Sequence, residues 1–246
     1  MPSGVDLKRV SLEIFSGLAG SYDRVLDLAT LYQDRRWKGW VASRMGRMED
    51  GLVLDVGCGT MIFESAAARP GHRFVGVDLS SDMIRRGRSK PAPNVGLVAN
   101  ADADHLPFAD ETFDYAVSFY VAKYVDLPLF TSELARVTRP GGEVLLYDFA
   151  NPHGAMSPIL QLYVQGGLRV IGLALTLMNR PEAVTFEKLP WIIRGTRWDS
   201  EILAQMKDRG FRLVETARLA GGAAFAYRGV KEPSNLSGTH DGGRRR

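Results

Sequence analysis

From residue 51 onwards the chain alternates short apolar runs with amphipathic stretches. Leu52–Val56, Arg73–Asp78, Val95–Asn100, Phe113–Phe119 and Glu143–Phe149 each have strand length and composition. The run Phe113–Phe119, rich in β-formers with an internal alanine, suits burial on both faces. An Ala-rich segment follows the first run, Asp82–Arg88 follows the second, and Leu127–Arg139 precedes the fifth with Pro140-Gly141-Gly142 as its stop. Five strands alternating with helices predict a parallel sheet covered on both faces. Glu201–Arg209 reads as one more helix, stopped by Gly210. Phe211–Arg218 and Ala223–Arg228 then read as two strands joined across Leu219–Gly222. The predicted fold class is α/β: a doubly wound, mostly parallel seven-stranded sheet with a terminal antiparallel hairpin.

Two stretches depart from this rhythm. Residues 1–50 carry apolar positions at helical spacing (Val10, Ile14, Leu18, Leu26, Trp37, Val41) and form an N-terminal helical lid ahead of the first strand. Residues 151–195 open on Pro152, Gly154 and Pro158 and continue into the apolar stretch 159–178. Its clean run, 170–178, is far too short to span a bilayer. A helical cap insertion over the carboxyl edge of the sheet is predicted. It forms an apolar acceptor pocket, touches a membrane surface peripherally, or simply packs. The core sheet then comprises 51–150 and 196–229, and the polar, charged 230–246 is expected to be a disordered tail.

Composition narrows the picture. The 246 residues carry a net charge of +3, equal to the contribution of Arg244-Arg245-Arg246 alone, which is not a nucleic-acid footprint. One cysteine excludes an internal disulfide framework and fits a reducing compartment, and four scattered histidines offer no metal-ligand spacing. Charges stand where a signal peptide would be apolar, so a cytoplasmic protein is expected, with membrane association left open.

The chemistry concentrates at Asp55-Val56-Gly57-Cys58-Gly59-Thr60, between the first strand and its helix. Gly57 and Gly59 allow a tight turn and close approach to a ligand, and the helix start offers free N–H groups. The dinucleotide pattern G-x-G-x-x-G fails, because Ile62 stands at the third glycine. The pattern D-x-G-x-G of S-adenosylmethionine (SAM) sites fits, and a purely structural turn is the alternative. Asp78 ends the second strand about 20 residues on, where a carboxylate meets ribose hydroxyls, or else is a solvated strand end. Asp102, after the third strand, is placed to accept from an adenine amine, and the Ala103 N–H to bond a ring nitrogen. Asp104 and His105 read as loop surface. Tyr22-Asp23 lies over the cofactor or packs on the sheet.

These residues together resemble a class I SAM-dependent methyltransferase. The chain is most similar to the C-methyltransferases of ubiquinone and menaquinone biosynthesis. The resemblance rests on FSGLAGSYDRVLDLATL with RRWK, VLDVGCGT, GVDLSSDMI, ADADHLPFADETFDYAV, ELARVTRPGGEVLLYDFANP and RLAGGAAFAYRGVK. It implies SAM as cofactor, Thr60, Gly57 and Gly59 in the turn, Asp78 on the ribose, Asp102 and Ala103 at the adenine, and Tyr22 at the methionine end. Three departures follow from it. Met61 replaces a glycine and is expected to narrow or shift the methionine end. Val121-Ala122-Lys123-Tyr124 replaces a Gly-Leu-Arg-Asn run. Phe119 replaces a SAM-contacting serine.

Methyl transfer is in-line displacement from an activated leaving group, so positioning carries much of the catalysis. Candidates for proton removal or oxyanion stabilisation are His153, Lys123 and Tyr124, with surface or structural roles as the alternatives. The expected function is SAM-dependent C- or O-methylation of a lipophilic small molecule, quinone-like or polyketide-like. Competing readings are a phospholipid N-methyltransferase, a SAM-binding module without transfer activity and, more distantly, a nicotinamide reductase. Oligomeric state is not legible.

Overall fold

The computed structural model describes residues 6–45, 51–67, 71–90, 94–151, 157–162, 166–180 and 182–233. Its centre is a seven-stranded sheet in the order β3-β2-β1-β4-β5-β7-β6. The strands are β1 (Gly51–Val56), β2 (His72–Asp78), β3 (Val95–Asn100), β4 (Phe113–Phe119), β5 (Thr138–Phe149), β6 (Phe211–Leu219) and β7 (Ala224–Lys231). The first five are parallel. β7 runs antiparallel to both β5 and β6. The strand order reverses between β1 and β4, and ligands of open α/β sheets bind at such a point, beyond the carboxyl ends.

α4 (Ile62–Ala67) links β1 to β2, α5 (Ser81–Arg88) links β2 to β3, and α6 (Leu127–Val137) lies between β4 and β5. Ser80 caps α5 by accepting from the Met83 N–H, and Asp126 caps α6 by accepting from the Leu129 N–H. The link from β3 to β4 carries no helix, so the predicted strict alternation is interrupted there. β5 also begins earlier than Glu143. Its pairing passes from Phe113↔Thr138 to Tyr115↔Glu143, so Arg139-Pro140-Gly141-Gly142 forms an irregular bulge within a strand instead of a helix stop. Gly141 has φ +80°, and a Cβ on Gly142 would stand 2.9 Å from the Asp114 carbonyl oxygen.

α1 (Leu7–Leu18), α2 (Tyr22–Ala29) and α3 (Asp34–Arg44) precede the sheet. α7 (Ser157–Leu162), α8 (Leu168–Leu177), α9 (Ala183–Gly195) and α10 (Trp198–Asp208) lie between β5 and β6. One face of the sheet packs on α6 and α10 through Phe130, Leu134, Trp198, Ile202 and Met206. The other packs on α3 and α4 through Trp37, Val41 and Phe63. The lid and the cap, far apart in sequence, share one core: Ile14, Leu18, Val25 and Ala29 pack with Leu168, Phe186, Leu189 and Ile192. That core meets the sheet at Tyr124, just beyond β4, and at Phe149, the last residue of β5. The tail boundary also moves: Val230 and Lys231 belong to β7, and the Glu232 N–H donates to the Gly210 carbonyl (2.8 Å).

Met61 corrects one expectation. It has φ +59°, which explains why glycine suits the position. Its side chain is 2% exposed and turns away from the site, packing with Cys58, Ile84 and Val98. A Cβ on Gly87 of α5 would lie 2.9 Å from Met61 Cγ, so the two residues are complementary. Gly87→Ala should therefore lower stability by about 1–3 kcal/mol through overpacking. In a Met61→Gly background the same change should cost much less, as read from urea midpoints of the four proteins.

Candidate active site

The turn after β1 is held by the strand beside it. Gly57 and Cys58 N–H both donate to the Val77 carbonyl, at 2.7 and 3.0 Å. Gly57 has φ +80° and Gly59 +53°. A Cβ at Gly57 would stand 2.2 Å from Val121 Cγ2, so the turn lies directly against the segment leaving β4. Above it opens a cleft of about 700 Å³, lined by Gly57, Gly59, Asp78, Asp102, Ala103 and Phe119, and covered by Phe15, Tyr22 and Tyr124.

Asp78 is fixed at both oxygens. Oδ2 accepts from the Gly59 N–H and Oδ1 from the Ser80 N–H, each at 2.8 Å. Burial pushes its carboxyl up to about 6, against the pull of these two N–H groups. Each oxygen keeps a lone pair for a second donor. Asp102 lines the cleft, and the Lys8 ammonium of α1 donates to its Oδ2 (2.7 Å). Partial burial is the largest influence and opposes ionisation there, but the Lys8 bond and charge and the Asp104 N–H together outweigh it and hold the carboxyl below its ordinary range. Asp104 is not loop surface: it is 2% exposed and shares the same ammonium at 2.5 Å. His105 is exposed, as expected. α1 is thus tethered across the Asp102 end of the cleft.

At the other end of the turn lies a recess of about 290 Å³, which shares Tyr22, Gly57, Gly59, Phe119 and Tyr120 with the cleft. It holds both signs of charge, the Lys38 ammonium and the Asp55 carboxyl. Lys38 Nζ donates to Asp34 Oδ2 (2.8 Å), and Asp34 Oδ1 accepts from the Tyr120 hydroxyl (2.7 Å). Tyr120 has φ +63°, a left-handed conformation strained for an aromatic residue and held here by this network. Thr60 also faces the recess, and its hydroxyl donates to Asp23 Oδ1 (2.6 Å). The Phe119 ring packs tilted by 45° against Phe63, with centroids 4.6 Å apart.

A third cavity, of about 400 Å³, lies between α1, α2 and α9 and the ends of β4 and β5. Its walls are apolar except for Thr185 and Lys123, and it shares Phe15, Tyr22, Tyr120 and Tyr124 with the cleft. Lys123 does not line the cleft itself. Its Nζ donates to Asp148 Oδ1 (2.6 Å) and to the Tyr120 carbonyl (2.7 Å), with both charged side chains 1% exposed. Burial lowers the Lys123 ammonium and raises the Asp148 carboxyl, and their mutual attraction opposes both shifts. The Tyr124 ring lies 4.5 Å from the ammonium. Burial and the nearby Asp148 charge raise its hydroxyl well above the ordinary tyrosine range.

A family model described as the ubiE/COQ5 methyltransferase family matches residues 4–231. The chain belongs to this family. A demethylmenaquinone methyltransferase of Streptomyces avermitilis is 33% identical over 220 residues, covering 89% of this chain and 93% of that one. Another, from Staphylococcus aureus strain Newman, is 29% identical over 234 residues, covering 92% and 94%. Among solved structures, a SAM-dependent methyltransferase from Thermotoga maritima superposes with TM-score 0.62 at 18% identity, covering 90% and 99% of the two chains. The phosphoethanolamine N-methyltransferase 2 of Haemonchus contortus, solved with SAM, gives 0.57 at 19%, covering 80% and 53%. The ubiE/COQ5 chain described here is accordingly a SAM-dependent methyltransferase with a class I fold.

The site fits that cofactor on its own geometry. Acceptors stand at one end of the cleft, and a recess of mixed charge with an unpartnered buried Asp55 Oδ1 stands at the other. The predicted Tyr22, Gly57, Gly59, Asp78, Asp102, Ala103, Phe119 and Tyr124 all line the cleft. Asp55 and Thr60 face the recess, Lys123 faces the third cavity, and His153 lies outside the described residues. Sequence reading missed Lys8, Lys38 and Tyr120. For Lys38 a signal existed: Asp34-x-x-x-Lys38 is an i,i+4 pair inside the RRWK stretch. Lys123→Met should cost about 3–5 kcal/mol, because it leaves Asp148 as an uncompensated buried charge. Lys123→Met/Asp148→Leu should recover most of that loss in chemical denaturation.

Proposed function

We propose that this enzyme methylates a ring carbon of a quinol bearing a lipophilic chain, and that the ring is seated in the cavity between the helical cap and the sheet. The observation that carries the reading is the joining of an apolar cavity to the cofactor cleft through Tyr22, Tyr120 and Tyr124, with one buried ammonium at its wall. The names of the relatives, demethylmenaquinone methyltransferases, support the same acceptor class.

When bound, SAM supplies an electrophilic methyl group on a sulfonium. The chain's part is to bind, orient and exclude water. Asp78 takes the ribose hydroxyls, and Asp102 with Ala103 the adenine edge. Lys38 takes the methionine carboxylate. Phe15, Tyr22 and Tyr124 close the cleft against solvent. Lys123 spends two N–H groups on Asp148 and the Tyr120 carbonyl, and its third meets the acceptor oxygen. An ammonium in a dry site stabilises a phenolate there, which raises electron density on the neighbouring ring carbon.

The cap also presents an apolar face outward. Val170, Leu173 and Leu177 fall on one side of α8 and are 62–80% exposed, while Leu168 and Gly172 face α9. No helix of the described residues is long and apolar enough to cross a membrane. A helix of this kind rests in the interface, where a lipophilic acceptor resides.

Incubation with methyl-labelled SAM and a polyprenyl naphthoquinol should give a labelled, extractable quinone. Label confined to phosphatidylethanolamine derivatives would refute the acceptor. Asp78→Ala should weaken SAM binding about 10- to 100-fold, by loss of charge-assisted hydrogen bonds. Lys123→Met/Asp148→Leu should keep SAM binding and lose about 100-fold in transfer rate. Leu173→Glu/Leu177→Glu should abolish flotation with phosphatidylglycerol-containing vesicles and leave S-adenosylhomocysteine affinity unchanged.

A further inference from the structure

Behind the glycine turn, Glu64 of α4 faces Asp55 at the end of β1. Both are 1% exposed, and their carboxyl groups lie within hydrogen-bonding reach of each other. Neither Glu64 oxygen has a donor, and Asp55 Oδ1 has none. Two ionised carboxylates offer only acceptors, and side by side in a dry interior they repel. The charged and titratable groups around them are few. Lys38 with its partner Asp34 stands on α3, Asp78 on β2, and Cys58 in the turn. Lys38 attracts both carboxylates, but its ammonium is hydrogen-bonded to Asp34. One proton shared between Asp55 and Glu64 satisfies the pair and leaves it a single negative charge.

Asp55 faces the recess, whereas Glu64 stands behind it. The recess carries one basic and one acidic group, the complement of a zwitterionic amino acid. The geometry points to Glu64 as the proton-sharing partner of Asp55, so that the α-ammonium of the cofactor enters the recess in exchange for a proton. In that step a carboxyl O–H bond breaks and the proton passes to solvent. An ammonium N–H then donates to the freed carboxylate, and because the ligand's own carboxylate enters beside Lys38, the occupied recess carries one more negative charge than the empty one. Glu64 touches no ligand and acts through Asp55 as a positioning residue. This rests on the proposed placement of the methionine end beside Lys38.

Burial raises both carboxyls, Glu64 to about 7 and Asp55 well above its ordinary range, so the pair still holds a proton near neutrality for the ligand to expel. A ligand that expels a proton binds more tightly as pH rises, up to the point where the free site has already lost it. Asp78, pushed up to about 6, adds its own pH dependence at the ribose. The two are separated by ligand choice. S-adenosylhomocysteine carries both ends, whereas methylthioadenosine carries the ribose and no amino-acid group.

Titration calorimetry of the full-length enzyme in buffers of different ionisation enthalpy counts the protons. Between about pH 5.5 and 7.5, below the titration of a free α-amino group, S-adenosylhomocysteine should release about one proton more than methylthioadenosine at the acid end. Its affinity should rise about tenfold or more across that range, relative to methylthioadenosine. In Glu64→Gln the difference in proton count should vanish, and S-adenosylhomocysteine affinity at pH 6 should exceed that of the parent. Equal proton counts for the two ligands in the parent overturn the inference. So does a difference that persists in Glu64→Gln. If neither ligand binds, the cofactor site itself is refuted. If Glu64→Gln does not fold, the two-ligand comparison in the parent decides alone.

Discussion

No side chain fits at position 57. The chain leaving β1 there runs against Val121, which leaves β4, and the Gly57 α-carbon is where the two segments meet. This contact sits at the reversal of strand order and fixes how the ends of the two central strands splay. Gly59 can reach Asp78 only because Gly57 first adopts positive φ. Asp78 in turn orients Ser80, which caps α5 and bonds Ser16 of α1. One close approach of backbone to side chain therefore sets the turn, the Asp78 carboxylate and the seating of the lid.

The sheet was legible because strand runs and turn residues state their period directly. The glycine turn, the strand-end Asp78, the Ser80 cap and the final hairpin all follow from local composition. What local composition cannot express is the direction of a side chain at positive φ. Met61 was expected to crowd the cofactor, yet its backbone turns it into the core against Gly87. Asp104 read as surface because its partner, Lys8, lies 96 positions away in the chain. Lys123 read as an oxyanion stabiliser or a solvated lysine, and its burial against Asp148 at the wall of the third cavity was hidden because the two lie 25 positions apart. The bulge in β5 was hidden because Pro-Gly-Gly serves equally as helix stop and strand irregularity.

Buried charge marks the borders of the site. Lys8 with Asp102 and Asp104 closes one end of the cleft, Lys38 with Asp34 walls the recess, and Lys123 with Asp148 bounds the third cavity. Each pair costs desolvation and holds its geometry only while both members are present. Lys8 ties α1 to the loop after β3, Asp34 ties α3 to the Tyr120 hydroxyl after β4, and Lys123 ties that segment to the end of β5. Asp55 and Glu64 are the exception, two buried carboxyl groups side by side.

The shared core of the cap has a consequence for how the protein is made. Leu18 and Leu168 pack in one cluster although 150 residues separate them. At a synthesis rate of about 5–20 residues per second, α1 and α2 wait roughly ten to thirty seconds for α8 and α9 to emerge. During that interval their apolar faces have no native partner, and the central strands assemble beneath an open edge. Phe15 and Tyr22, which cover the cleft, thus sit on helices that wait for their packing partners, and a nascent chain stalled before the cap presents the turn beneath an unsupported lid.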